Sequence, residues 1–266
     1  MIRLPHLETN VTIACQHRCI ACNHFVPLQT HRFKESMLDP GTLARDLTHF
    51  GRVAHVDAWA AIGGEPLLHP ELVDLLAIAR ASGVADSIEV WTNGRLVLKM
   101  APEFWDVTDV LVVSAYPGTL SDVEIAAIQL VCEGNGTDLI VKDERKFPNF
   151  TRLLERAPSD AKTTLEKYRA CWFKTHSRVL DDGYFYKCCT SPFVGPLLQG
   201  RPKGADGIKV DEHLTAAAML AYLHDEKPLE GCTLCAGRHT ASSLPIAWRE
   251  ISDPTEWIKA SAGGLE

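Results

Sequence analysis

Cys15-Gln16-His17-Arg18-Cys19-Ile20-Ala21-Cys22 follows directly on Asn10-Val11-Thr12-Ile13-Ala14, and this junction decides the fold. The β-branched run predicts a short strand. Three cysteines, spaced Cys-x3-Cys-x2-Cys, then crowd onto the loop that leaves it. Three thiolates on one loop do not complete a tetrahedral zinc site alone. They suffice for three irons of a [4Fe–4S] cube, with the fourth iron left for a non-protein ligand.

Beyond that loop, strand and helix patterns alternate to about residue 156. Pro40 to Phe50 reads as a helix capped by Asp39. Val53 to Ile62 is a strand broken by Gly63-Gly64, and Leu72, Val73, Leu75, Leu76 and Ile78 give Pro70 to Ala81 helical periodicity. Ser87 to Thr92 is a strand closed by Asn93-Gly94, and Val107 to Ala115 is the apolar run of a parallel strand covered on both faces. Ser121 to Glu133 is a helix and Thr137 to Val141 a further strand. Repeated βα units of this length predict an α/β chain whose parallel sheet curls into a partial barrel, with every strand's C-terminal end on one rim. The last third changes character. Val179 to Tyr186 predicts a β-hairpin turning at Asp182-Gly183, 191–210 a loop, and Leu214 to His224 a helix. A soft boundary near residue 165 divides 1–165, the partial barrel, from 166–266, a small domain of hairpin plus helix.

The chain has 266 residues, 46% of them apolar, and a net charge of −7. That is ordinary globular composition, and with no basic stripe it argues against nucleic acid as a partner. No apolar run reaches the length of a membrane span, and Met1 to Glu8 lacks the apolar stretch of a secretory signal, so a cytoplasmic protein is expected. Nine cysteines in a reducing compartment read as metal ligands or reactive thiols rather than disulfides. Cys15, Cys19 and Cys22 form one group; Cys171, Cys188, Cys189, Cys232 and Cys235 form another. Cys132, in an apolar helix pattern, reads as a packing residue.

The cysteine triad after a first strand resembles that of the radical S-adenosylmethionine (SAM) superfamily, whose fold is a TIM-like partial barrel. Ala61-Ile62-Gly63-Gly64-Glu65-Pro66-Leu67 is similar to the superfamily's Gly-Gly-Glu segment, and Trp91-Thr92-Asn93-Gly94 and Val113-Ser114-Ala115-Tyr116 end the next two strands. The resemblance implies a [4Fe–4S] cluster on Cys15, Cys19 and Cys22. It also implies SAM contacts from Gly63, Gly64, Glu65, Thr92, Asn93 and Ser114. In that family SAM on the open iron is cleaved to a 5′-deoxyadenosyl radical, which takes hydrogen from substrate. The residue before the third cysteine is often an aromatic near adenine. Here it is Ala21, so Phe25 or His24 is expected in its place. His17 is expected as a solvated loop residue.

Cys171, Cys188 and the later Gly231-Cys232-Thr233-Leu234-Cys235 resemble the auxiliary-cluster domains that follow many such barrels. The short, one-cluster "twitch" form is implied, with a second [4Fe–4S] cluster on Cys171, Cys188, Cys232 and Cys235; a zinc site on the same thiols is the alternative. Cys189 is left over. Its weak S–H bond makes it the expected hydrogen-atom donor, with the roles of Cys188 and Cys189 open to exchange.

The layout resembles enzymes of aminoglycoside biosynthesis, a twitch epimerase of hygromycin-type pathways and 2-deoxy-scyllo-inosamine dehydrogenase. The implied reaction is hydrogen abstraction from a carbinol carbon of an aminocyclitol or sugar. The spare Cys189 favours epimerisation over oxidation to a ketone with the auxiliary cluster as electron acceptor. A peptide-modifying enzyme is a further alternative, though with the first cysteine at residue 15 an N-terminal peptide-recognition domain is not expected. A non-catalytic zinc scaffold is the last. The family implies a one-electron donor such as flavodoxin or ferredoxin. Asp143, Glu144, Asp181 and Asp182 are candidates for an acidic rim facing a polycationic substrate, or solvated loop carboxylates.

Overall fold

In the computed structural model, residues 1–20, 22–32, 36–143, 158–235 and 248–256 are described. Eight strands form one sheet: β1 (Ile2–Thr12), β2 (Ala54–Gly63), β3 (Ala85–Thr92), β4 (Val110–Ser114), β5 (Asp138–Lys142), β6 (Val179–Asp181), β7 (Tyr184–Tyr186) and β8 (Ile208–Lys209). Their order is β5-β4-β3-β2-β1-β6-β7-β8, so the sheet is open. Strands β1 to β6 pair in parallel, and β7 and β8 are antiparallel. The parallel strands therefore end on one rim, as their βα alternation predicts.

The helices are α1 (Val26–Arg32), α2 (Pro40–Gly51), α3 (Leu72–Ser82), α4 (Pro102–Asp106), α5 (Asp122–Asn135), α6 (Ala161–Arg169), α7 (Phe173–His176), α8 (Ser191–Val194) and α9 (Ala216–His224). Asp39 caps α2 through Thr42 N at 2.8 Å, and Ser121 and Glu124 close a capping box on α5. Leu43, Leu47 and Phe50 of α2 and Leu72, Leu75, Leu76 and Ala79 of α3 bury against Leu7, Val11, Val56 and Trp59 of β1 and β2. Each of these Leu, Val and Phe side chains contributes about 1.5–3 kcal/mol by leaving water. The Trp59 indole N–H donates to Thr9 Oγ1 at 2.9 Å, which satisfies the one polar atom that this layer would strand. Cys132 is buried in the same core, as expected.

The hairpin turns where the sequence says. Asp182 and Gly183 both take positive φ, 50° and 75°, the two-residue turn that matches strand twist. Its β6 edge pairs with Glu8 and Thr9 of β1, so strands on both sides of residue 165 share one sheet. Asp46 of α2 pins the turn by accepting from Gly183 N at 3.0 Å.

Several segments depart from the sequence reading. The first strand begins at Ile2 rather than Asn10 and ends before the cysteine loop. Helices α1 and α6 were not expected from pattern; α6 starts where Asp160 accepts from Thr163 N at 2.9 Å. The expected loop 191–210 holds α8, a wider π turn over Gly195–Gln199, and β8. Pro192 and Pro196 sit at the starts of those turns, where a missing N–H costs nothing. Phe193 and Val194 then join Ile20, Phe25, Leu28 and Ile251 in a small second core beside the cysteine loop. Among the described residues no helix is long and apolar enough to cross a membrane.

Candidate active site

The rim is built around two glycines. A Cβ on Gly63 would lie 2.2 Å from the Thr12 carbonyl oxygen, and one on Gly64 would lie 2.2 Å from that of Ala14. Without side chains the end of β2 lies against the exit of β1. Gly64 N donates to Thr12 O and Glu65 N to Ala14 O, each at 2.7 Å. The residue after Ala14 is Cys15.

Glu65 is fully buried. Its Oε1 accepts from Leu67 N at 3.0 Å and from Thr92 Oγ1 at 2.6 Å, and its Oε2 accepts from Asn93 N at 2.8 Å. Burial pushes its carboxyl pKa up, and those bonds pull it back. Asn93 Oδ1 accepts from Gln16 Nε2, inside the cysteine motif, at 3.1 Å. Thus Glu65, Thr92, Asn93 and the motif share one network across the ends of β2 and β3. Asn93 Nδ2 is buried and has no acceptor among the described residues. Ser114 ends β4, half-buried, one residue beyond the partner of Thr92. The structure therefore gathers Gly63, Gly64, Glu65, Thr92 and Asn93 at the triad and leaves Ser114 at the neighbouring strand end.

Burial pushes the Cys15 thiol up to about 12 and raises Cys19 and Cys22 as well; Cys22 adds to the rise at both of the others. His17 corrects the expectation of a solvated loop. It is 3% exposed, and its Nδ1 stands 2.6 Å from Glu250 Oε1. The cause is the segment 248–251, which pairs with the cysteine loop. Ile20 N donates to Arg249 O and Ile251 N to Arg18 O, both at 2.9 Å. Trp248 lies beside the Cys19 thiol and stacks on Tyr116 with ring centroids 5.4 Å apart. His17 meets both rings edge-on.

Phe25 is not a rim residue. It is 1% exposed, at φ 56°, and packs on Phe193 in the small core. His24 Nδ1 stands 3.2 Å from Asn10 Oδ1, and burial pulls its pKa down to about 4. The flat aromatic surface beside the triad is instead Tyr116 with Trp248. Nothing in the motif spacing signals Trp248, because only the chain's return from a distant segment brings it there.

In the second group, Cys171, Cys188, Cys232 and Cys235 line one pocket together with Tyr168 and Thr190. Cys189, 7% exposed, is not among the lining residues. Burial raises the Cys232 thiol, and Cys188, Cys235 and Cys171 add to the rise. Asp206 shapes the turn that carries Cys232 and Cys235 by accepting from Glu230 N at 3.1 Å and Gly231 N at 2.9 Å. Among the described residues no three His, Cys, Asp or Glu side chains converge on a single ion. The donor chemistry, three thiols at a strand exit and four around one pocket, fits iron–sulfur clusters.

The sequence reading missed a polar face on the sheet, turned away from the helices. His6, Glu8 and Asn10 alternate along β1 with the core residues Leu7 and Val11, and Glu89 and Trp91 alternate along β3 with Ile88 and Val90. Glu8 is buried, and burial raises its pKa; its Oε1 accepts from Ser177 Oγ at 2.8 Å. His6 lies between Glu8, at 3.7 Å, and Glu89, at 3.4 Å. Trp91 Nε1 donates to Glu89 at 2.8 Å, and Lys142 Nζ lies 3.4 Å from the Trp91 ring centre. Asn10 Nδ2 donates to Asp181 Oδ1 at 3.3 Å. Of the acidic rim, Asp181 thus points into this face, Asp182 meets Lys203 at 3.2 Å on the turn, Asp143 is half-buried, and Glu144 lies outside the described residues. The period-two polar pattern from His6 to Asn10 was the available signal.

An open, mostly parallel α/β sheet with a thiol triad at the exit of its first strand is an unclosed, partial TIM-like barrel. No family profile matches the chain. Across its fold it is similar to BtrN in complex with AdoMet and 2-DOIA, with a TM-score of 0.54 at 15% identity over 96% of this chain and 97% of that one. It is also similar to Streptococcus suis SuiB bound to S-adenosylmethionine, with a TM-score of 0.42 at 11% identity over 75% of this chain and 63% of that one. In sequence it is 35% identical over 95 residues to the GTP 3',8-cyclase of Chlorobaculum tepidum, which is 35% of this chain and 27% of that enzyme. The match spans about a quarter of that relative's length.

Proposed function

We propose that the chain is a radical SAM enzyme that removes hydrogen from a carbinol carbon of an aminocyclitol or aminoglycoside sugar and inverts that carbon, with Cys189 as hydrogen donor. The observation that carries the reading is the pocket that takes Cys171, Cys188, Cys232 and Cys235 and leaves the adjoining, buried Cys189 outside. Cys15, Cys19 and Cys22 would hold one [4Fe–4S] cluster and the pocket's four thiols a second. With SAM on the first, the bound groups supply a carbon radical that takes hydrogen from substrate.

The chain's own residues do the rest. Gly63 and Gly64 let the end of β2 close on the exit of β1 that carries the triad, the Glu65–Thr92–Asn93 network fixes that backbone, and Asn93 Nδ2 has a hydrogen bond to give to SAM. The stacked Tyr116 and Trp248 offer adenine a flat face. The polar face of His6, Glu8, Asn10, Glu89 and Asp181 suits a substrate of hydroxyl and ammonium groups. Cys189 returns a hydrogen atom to the substrate carbon from the face opposite to abstraction. The sulfur radical left behind takes one electron and one proton, the electron from an external donor such as flavodoxin or ferredoxin. A second reading, oxidation of the same alcohol to a ketone, is favoured by the likeness to BtrN with 2-DOIA. There the substrate radical would lose one proton to solvent and one electron to the cluster that Cys171, Cys188, Cys232 and Cys235 would hold, and Cys189 takes no part.

The test is the anaerobically reconstituted protein with SAM, a reductant and a panel of aminocyclitol glycosides in D2O, read by mass spectrometry. Epimerisation gives a product of unchanged formula carrying one deuterium, and Cys189→Ala abolishes it or diverts it to a ketone. A product lacking two hydrogens establishes the dehydrogenase. SAM cleavage with every glycoside unchanged overturns the sugar assignment, and a colourless protein holding zinc without iron overturns the class of chemistry.

A further inference from the structure

Ser177 and Arg178 lead into β6. Ser177 turns to Glu8, whereas Arg178 lines a separate cavity of about 430 Å3 with Arg169, Lys174, Leu223, His224 and Glu226. The cavity is bounded by Ile2, Arg3 and Leu4, where β1 begins. The cysteine loop leaves the other end of that strand, roughly 30 Å away at 3.3 Å per residue. This cavity is therefore remote from the triad; it adjoins the four-cysteine pocket, with which it shares Tyr168 and Lys174, but Arg178 lines this cavity and not that pocket.

Arg178 is 8% exposed, and its Nε and Nη1 are buried with no acceptor among the described residues. A guanidinium does not shed its proton in a protein. Burying that charge without a counter-charge costs more than most folds tolerate. The surrounding charges do not supply one. Glu226 lies 3.7 Å from Arg169, and Asp225 Oδ1 accepts from its own backbone at Lys227 N. Lys174 Nζ sits over the Tyr168 ring and adds a second cation at the cavity wall. Arg3, at the edge, is engaged by Asp57 and Asp86.

We propose that this cavity is a second ligand site, which takes a small oxyanion, the phosphate or carboxylate of a metabolite, on Arg178 and Lys174. Nη2, the one guanidinium nitrogen not closed off, has N–H bonds to give to an oxyanion in the cavity, and the remaining volume accommodates the body of a small metabolite. The reading does not depend on the reaction proposed above.

The experiment measures the thermal midpoint of the reconstituted protein against millimolar inorganic phosphate and, separately, succinate, with chloride holding ionic strength constant. Binding to the folded state alone raises the midpoint along a saturating curve, whereas general salt stabilisation is linear and weak in this range. The expected result is saturation with at least one anion in the wild type and its loss in Arg178→Met. Should Arg178→Met fail to fold, Lys174→Gln is expected to shift the half-saturating concentration upward several-fold. No saturating response to either anion in the wild type overturns the proposal, as does a wild-type response in Arg178→Met, or in Lys174→Gln where it stands in.

Discussion

A methyl group added at Gly64 would sit 2.2 Å from the Ala14 carbonyl oxygen, one residue before the first cysteine of the triad. The end of β2 would have to lift off, and the bond from Glu65 N to Ala14 O would go with it. Gly64→Ala is expected to destabilise the fold by about 1–3 kcal/mol and to lower the iron bound per chain on reconstitution. Urea unfolding and iron analysis check the two effects; a variant with wild-type iron and stability would show that the rim can relax around a side chain. Glu65→Gln makes a different point. Both carboxylate oxygens accept hydrogen bonds, so an amide must set a donor against a donor, at Asn93 N or at Leu67 N and Thr92 Oγ1. The cost is about 1–3 kcal/mol. SAM cleavage is expected to fall more than ten-fold while Glu65→Asp recovers part of it. The glycine pair and Glu65 could be picked out from residue type and order alone, because steric need and hydrogen bonding act on neighbours in the chain. His17 could not, since the partner that buries it, Glu250, is far away in sequence.

Elements follow the same division. The helices α2 and α5 carry their caps within four residues of their starts, so Asp39 and Ser121 could be read locally. The length of β1 had only the period-two pattern of His6, Glu8 and Asn10 as its signal, and polar residues in that pattern read as loop until a second polar strand face is placed opposite them. The hairpin β6–β7 shows both sides. Its turn was legible in Asp182-Gly183, yet the residue that pins that turn is Asp46 on α2. Burial raises the Asp46 carboxyl, with Arg45 and the Gly183 N–H opposing and Asp182 adding to the rise. A carboxyl raised in the folded state contributes its stability below the ordinary carboxylate range and loses it as pH climbs through the raised value. Asp46→Asn keeps an oxygen for Gly183 N and removes that titration. Its midpoint relative to wild type is therefore expected to become more favourable as pH rises from about 4 to 7. Thermal melts across that window read the difference, and one that is flat with pH would exclude Asp46 as the titrating group.

At the scale of the molecule, the thiol triad is enclosed by chain that returns from far downstream. The backbone of 248–251 pairs with 18–20, His17 locks to Glu250, and Trp248 shields Cys19 against Tyr116. A site of this chemistry needs such cover, since exclusion of water and stray donors protects a reactive intermediate. The sheet and helices hold their own core without this segment: Leu7, Trp59, Leu75 and Leu111 are buried in a cluster from which Trp248 and Ile251 are absent. Cover and scaffold should then separate experimentally. Trp248→Ala is expected to leave the thermal midpoint of the barrel within a few degrees of wild type. The reconstituted cluster should bleach several-fold faster in air, followed by its visible absorbance. Glu250→Gln, which removes the charge facing His17 but keeps an acceptor, should bleach at a rate between the two. If Trp248→Ala bleaches at the wild-type rate, the return segment is packing against the triad without sealing it, and the cover must come from elsewhere on the rim. If faster bleaching comes with a lowered midpoint, the segment belongs to the scaffold itself.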